Sequence, residues 1–495
     1  MNITLPDVAA AGTTAAMGLD EVEALNKALT AGYGTDHSTF QGGQALRVES
    51  LDTVMKSTIQ QNEHFKLFNA LQKLKATATV DEWTERNSIG GFLGGTTNSE
   101  TGNIQTAQGG YVRRVGLVKY LMTQCQVSLV STLGVNIASS ETVENEAGAL
   151  RVLTDAEFLS FEGDSTVVAT EFDGIIAQLT QGVASGQVDG GNVLDCQGQS
   201  LASIQLVNKA AAQIAGFGNF GHPSHIYMSQ LTQADFDNDL APSYRVPLPE
   251  VKGSTEIGTP VAGIRTSQGD IRTVNDVFIR DETLQQPFDV MYPAVATANA
   301  SLAPASVTPG APGADAGSMF QAGQAGNYYY LVAGLNGAGQ STGVVSAQVA
   351  IAAGQSVTLT INKSAGGQET GYAIYRSRMN GGNSINGSVS GAGSDFRLVT
   401  RIAYSGGATT TWKDQNTLIP GTTKAYVLNM RPGADAIAWR QLMPLLKFQL
   451  YPTAAAVLPW AQLLFGYLRL AKRRQHVLIK NIVTSGQIWK PFSAT

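Results

Sequence analysis

The chain has 495 residues, with 33 Lys and Arg against 38 Asp and Glu, a net charge of −5, and only 14% of its residues charged. At roughly 100–200 residues per domain this length fills two to four folding units with a large core, and the charge balance lacks the basic footprint that sequence-specific nucleic-acid binding needs. Two cysteines exclude a disulfide framework, and neither a signal peptide nor an apolar run long enough to span a membrane is present, so we expect a soluble product of a reducing cytoplasm.

Charge this sparse, beside an ordinary hydrophobic fraction of 43%, has two readings. Much of the surface faces other protein, since interface cores are depleted of charge. Alternatively, the chain is a secreted protein rich in small polar residues.

Residues 1–18 read as a flexible arm. Leu19, Val22, Leu25 and Leu29 recur at helical spacing within LDEVEALNKALTAGYG, and a second helix follows before residue 60. EHFKLFNALQKLK (63–75) predicts a third. The period then changes. ATATVDEWTERN (76–87) alternates as a strand, 88–110 is Gly-rich, and YVRRVGLVKYLMTQCQVSLVSTLG (111–134) reads as one long returning strand. Two strands joined this way make an extended β-arm, which cannot bury both of its own faces. The longest helix is predicted over 139–164. Its apolar stripe is Val143, Ala147, Leu150, Thr154, Phe158 and Phe161, and Gly163 marks its end. STVVATEFDGIIAQL reads as strand and turn. Helices at 201–216 and 230–240 flank a strand at 224–229, and 263–280 holds one or two strands.

VTPGAPGADAG (307–317) has the composition of a linker. Short strand-like runs follow at regular spacing: NYYYLVAG, GVVSAQVAIA, QSVTLTIN, GYAIYRS, DFRLVTRIAY and TTTWKD. That spacing predicts a β-sandwich of about 100 residues. Trp412 and the lack of a Cys pair favour a fibronectin-like variant. Residues 425–495 resume the earlier mixture of helix and strand, so the sandwich reads as an insertion into a host domain.

Catalytic patterns are weak. GFGNFG (216–221) matches G-x-G-x-x-G, but a helix precedes it and a strand follows, the reverse of a dinucleotide site. Asp235, Asp237 and Asp239 mimic the start of a calcium loop, but Leu240 and Val246 stand where Gly and Glu are required. They read as a solvated acidic face. His222 and His225 read as loop histidines, with no nearby partner to complete a zinc site. Glu171 and Asp173 fit a turn after the long helix. Arg113, Arg114 and Lys119 on the arm, and Lys472 to Arg474, are candidates either to grip phosphate or to pair across a subunit contact. We assign no catalytic, cofactor-binding or metal residue.

This order of parts resembles the major capsid proteins of tailed phages with the Hong Kong 97 fold. LTAGYGTDHSTFQGGQALRVESLD, FLSFEGDSTVVATEFDGI, GYAIYRSR and LAKRRQHVLIKNI are similar to capsid proteins of large contractile-tailed phages, the Twort-like group in particular. The resemblance implies an α+β capsid fold with an inserted all-β immunoglobulin- or fibronectin-like sandwich. Its parts would be an N-arm with helices at 1–75, an extended loop (the E-loop) at 76–134, a peripheral domain with a spine helix at 135–190, and an axial domain at 190–300. The sandwich would span 301–425, with a return to both host domains at 426–495. It implies a non-enzyme without cofactor or metal, which assembles with itself into hexameric and pentameric capsomers of an icosahedral shell. That shell would enclose double-stranded DNA without reading its sequence and would engage scaffold, portal and decoration proteins, with no membrane. The protein would be built into the virion in the host cytoplasm. The sandwich motivates the alternative of a surface adhesin or glycan-binding structural protein.

Overall fold

A computed structural model describes residues 61–104, 106–133, 139–201, 204–239, 261–280, 302–337, 339–383, 395–452, 456–486 and 489–492. The expected arm at 1–18 and the helices between 19 and 60 lie outside these. The chain divides into two compact units, one of residues 1–59 and 130–142, the other of 60–129 and 143–495. In the first, the Ser131 and Ser140 hydroxyls lie 3.5 Å apart. All that follows concerns the second.

In chain order, helix α1 is Lys66–Ala70, followed by β1 (Lys73–Lys75), β2 (Val80–Ser88), β3 (Gly110–Leu117) and β4 (Lys119–Ser128). Next come α2 (Leu129–Leu133), α3 (Ser140–Glu162), α4 (Ile175–Ala184), β5 (Val193–Asp195), α5 (Ile204–Ala215), β6 (His225–Met228), α6 (Gln230–Asp239), β7 (Gly263–Thr266) and β8 (Gly269–Asn275). An all-β stretch contains β9 (Pro304–Pro309), β10 (Gly313–Ala314), β11 (Gly326–Tyr328), β12 (Tyr330–Asn336), β13 (Gly339–Gln340), β14 (Val344–Val345), β15 (Val349–Ile351), β16 (Gln355–Ser364), β17 (Gly371–Ser377), β18 (Phe396–Ala403) and β19 (Thr409–Asp414). The chain closes with β20 (Thr423–Leu428), β21 (Ile437–Gln449), β22 (Val457–Leu470) and β23 (Val477–Ile482).

Two sheets form the body. One has the order β1-β21-β22-β4 and the other β5-β23-β20-β6-β8-β7. The second sheet draws strands from before residue 276 and after residue 422, so the chain leaves it after β8 and re-enters at β20. The strands between pair only with one another. β13-β12-β17-β18 and the β9, β10, β16, β19 group pack over one apolar core of Val307, Tyr330, Val332, Val357, Leu359, Ile361, Tyr372 and Ile374. Their outer side is fastened to the body: Val167 and Val168 join Leu331, Leu335, Ala373, Tyr375 and Phe396 in a second cluster, and Arg401 grips Glu171 at 3.0 Å.

Several expectations fail for identifiable reasons. The helix expected over 63–75 survives only as α1, because Lys73–Lys75 pair in parallel with Trp439–Gln441 and a sheet partner overrides local propensity. The long strand over 111–134 breaks at buried Val118, whose N–H bonds the Thr79 carbonyl at 2.9 Å. Its first half pairs with β2 and its second half with β22. The stretch after α3 is turns and α4 rather than strand. The supposed linker at 307–317 carries β9 and β10. Pro304 and Pro309 sit at the ends of β9, which pairs with β16 alone, the place where a sheet tolerates proline. Residues 425–495 are nearly all strand. Strand β5 gives too short an apolar run to be read from sequence.

The α3 stripe is shifted. Leu150 and Phe161 are buried as expected, but Val152, Ala156 and Leu159 complete the core side. Gly163 follows the last residue of α3, but not as a left-handed cap. A Cβ there would lie 2.3 Å from the Phe172 carbonyl oxygen and 2.7 Å from that of Leu159. Neither backbone atom can swing aside, so Gly163→Ala should cost about 1–3 kcal/mol, read from urea denaturation. An unchanged midpoint would contradict this packing.

Candidate assembly surface

β2 and β3 form a two-stranded ribbon whose alternation gives it two faces. Asp81, Trp83, Glu85, Arg114 and Gly116 share the inner face. Asp81 accepts hydrogen bonds from Arg440 Nε and Nη2 at 2.8 Å and from the Tyr467 hydroxyl at 2.6 Å. Burial alone would raise its carboxyl, but these bonds win and hold it below the usual carboxylate range. Arg114 pairs with Glu85 at 2.5 Å, and Trp83 lies under the Arg469 guanidinium. Gly116 lets the Tyr467 ring come within 2.3 Å of where a Cβ would sit. The ribbon's base is therefore fastened to its own body.

Its outer face and tip are bare. Val80, Tyr111, Val115 and Leu117 on the outer face are 47–65% exposed. Beyond them Ile89, Phe92, Leu93 and Ile104 are 72–90% exposed. Gly90, Gly91 and Gly94 all take positive φ, so the tip is built from turns that only glycine adopts cheaply. The arm read over 76–134 is thus a ribbon of 80–117, its base docked and its end uncovered.

A second bare surface lies on the β1-β21-β22-β4 sheet. Its inner face packs on α3, where a Cβ on Gly148 would stand 2.5 Å from Cys125 Sγ and where Asn145 accepts from Gln462 at 2.6 Å. Register places Tyr120 opposite Phe465, Met122 opposite Leu463, and Leu446 and Phe448 opposite Leu463 and Ala461 on the other face. Tyr120, Met122, Leu446 and Phe448 are 48–63% exposed. Monomers rarely show contiguous apolar surface of this kind, and where they do it marks a contact site.

The singled-out polar residues are accounted for internally. GFGNFG is the turn between α5 and β6, with Phe217 and Phe220 exposed and edge-on at 5.4 Å. Asp235 is no solvated group. It is buried and accepts from Ser200 at 3.0 Å and from the Ser485 N–H at 2.7 Å. It sits on α6, where a two-residue step turns Asp237 to another side; Asp237 accepts from the Val261 N–H at 2.9 Å. The side chain of Asp239 lies outside the described residues. His222 is exposed in the loop, while His225 belongs to β6 and meets the Ser224 hydroxyl at 3.0 Å. Glu171 receives Arg401, and Asp173 accepts from the Ser165 N–H at 2.9 Å. No group of three His, Cys, Asp or Glu suited to a metal occurs among the described residues. Cys125 and Cys196 are buried and free.

The two basic clusters, remote in sequence, converge. Arg114 donates to the Gln187 side chain and Arg474 to the Gln187 carbonyl at 2.8 Å. Arg113 pairs with Glu82, Lys119 bonds the Ala169 carbonyl, and Lys472 bonds that of Ala434. These cations serve internal contacts that tie the ribbon to the body. Sequence reasoning missed the bare sheet face entirely, because a strand's exposure depends on which face its neighbours cover.

No family model and no curated protein matches the chain. Among solved structures it is similar to the capsid of a native GTA particle, with 7% identity, 90% of this chain and 98% of that chain covered, and a TM-score of 0.45. It is similar to a structure from Mycobacterium phage Adephagia, with 9% identity, 89% and 96% covered, and a TM-score of 0.41. It is also similar to the holo-SrpI encapsulin complex of Synechococcus elongatus, with 7% identity, 89% and 95% covered, and a TM-score of 0.37.

Proposed function

We propose that this chain is a shell-forming structural subunit, the major capsid protein of a tailed double-stranded DNA phage with a Hong Kong 97-like fold. One observation carries the reading: a single chain presents a ribbon with an uncovered apolar tip and an uncovered apolar sheet face. Copies of the same chain supply what each lacks, and contacts repeated by closed symmetry add up cooperatively. The resemblance of its quoted stretches to contractile-tailed phage capsid proteins supports the same reading and adds the finer content. That content is hexameric and pentameric capsomers, an icosahedral shell around DNA, and scaffold, portal and decoration proteins as partners. Strands β9 to β19 would be the immunoglobulin- or fibronectin-like insertion. Their fastening to the body through Val167, Val168 and Arg401 makes them part of the subunit rather than a freely displayed adhesin.

Electron microscopy of the purified full chain, alone and co-expressed with its neighbouring structural proteins, should show capsomers or closed particles. A chain that stays monomeric in every such preparation would end the proposal.

A further inference from the structure

Two carboxyl groups from distant parts of the sequence meet in the core where the first described segment docks. Glu157, on α3, is wholly buried. One of its oxygens accepts from the Leu67 N–H at 2.7 Å and the other from the Phe68 N–H at 2.6 Å. These are amides of the first turn of α1, which has no partner for them within the helix. Asp276, just past β8, is equally buried. Its Oδ1 accepts from the Phe278 N–H at 2.9 Å, but among the described residues no donor reaches its Oδ2. Around the two, Phe65 stacks on Phe278 at 5.4 Å, and Leu67, Phe68, Leu71 and Ile279 share one apolar cluster with Val152, Ala156 and Leu159.

The groups facing the pair are few. From the first segment come Lys66, whose ammonium bonds the Asn275 carbonyl at 2.6 Å, and Lys73, which bonds the Phe68 carbonyl. Tyr227 on β6 lies between the pair and Arg272 on β8, and Tyr426 on β20 faces Asp276. No arginine or lysine forms an ion pair with either carboxyl among the described residues. Two carboxylates in one dry site cannot both ionise without a large repulsion. A proton on Glu157 relieves this and supplies the donor that Asp276 Oδ2 lacks.

We propose that Glu157 and Asp276 share a single proton, and that this proton latches the Phe65–Leu71 segment onto α3 and the end of β8. Burial, and then the charge of Asp276, raise Glu157 well above the usual carboxylate range, and burial raises Asp276 as well. A carboxyl raised on folding binds more protons in the folded state than in the unfolded one. The latch is therefore complete near the ordinary carboxylate pKa and weakens as pH rises toward the raised value, by up to about tenfold in the opening constant per pH unit. The proposal is independent of the shell reading, since it concerns one subunit.

Hydrogen exchange of the 62–75 peptide in the full chain, corrected for intrinsic rates between pH 5 and 9, tests it. Protection at Leu67 and Phe68 should fall by at least tenfold across that range. In Glu157→Gln, whose carboxamide can donate to Asp276 without titrating, it should stay flat. Protection that is constant in the parent, or equally pH-dependent in the variant, would overturn the latch. If Glu157→Gln fails to fold, infrared spectroscopy of the parent at pH 7 decides. A protonated-carboxyl band that survives Asp155→Asn, the neighbouring carboxyl on α3, is expected, and its absence would also overturn the proposal.

Discussion

Full-length protein carrying Phe92→Asp and Leu93→Asp is expected to fold as the parent does and to form no closed particles. Both side chains are more than 70% exposed in the single chain, so the substitutions remove almost nothing from subunit stability, within about 0.5 kcal/mol. If a sister molecule covers them, the same changes forfeit the burial of two large apolar side chains, about 3–6 kcal/mol per ribbon, and place two charges in a dry contact. Repeated around a closed shell, that loss stops assembly. Thermal unfolding and electron microscopy, run on one preparation, separate the two effects. Particles of normal size and yield would show that the tip covers nothing, and the assembly reading would lose its central observation.

The second large effect lies in the core of the β9–β19 region. Arg376 is wholly buried, donating to Asp414 and to Asn416, each at 2.6 Å, with Phe320 and Tyr328 on its faces at 5.1 and 5.2 Å. Asp414 also accepts from the Tyr330 hydroxyl at 2.7 Å. Arg376→Ala strands the Asp414 carboxylate in an apolar core, and we expect it to cost about 3–5 kcal/mol. At an m-value of about 2 kcal/mol/M in urea, this moves the midpoint of the transition involving this region by roughly 2 M. Arg376→Met combined with Asp414→Asn should recover much of the loss, because an isosteric apolar replacement leaves no orphaned charge. A shift below about 0.5 M for the single variant would mean that the pair is not the hub of that core.

Much of this was legible in residue order. Alternation located β2 and β3, the glycines of 88–110 marked the tip, and the regular strand spacing after 320 marked β11 to β19. Longer-range partners misled elsewhere. Lys73–Lys75 carry a helical pattern yet pair with β21, and the strand read over 111–134 is divided between two sheets at Val118. Asp235 looked like one of a row of surface carboxylates and is buried between Ser200 and Ser485, which lie 35 and 250 residues away.

The sequence alone determined where the chain extends, where it turns, and that its charge is too sparse to cover a surface facing only water, because alternation, glycine and composition are local quantities. Only the tertiary structure decided which face of each strand is left bare, which cations are engaged internally, and that Glu157 meets Asp276. Those outcomes depend on contacts between residues a hundred or more positions apart, and no window on the sequence contains both partners.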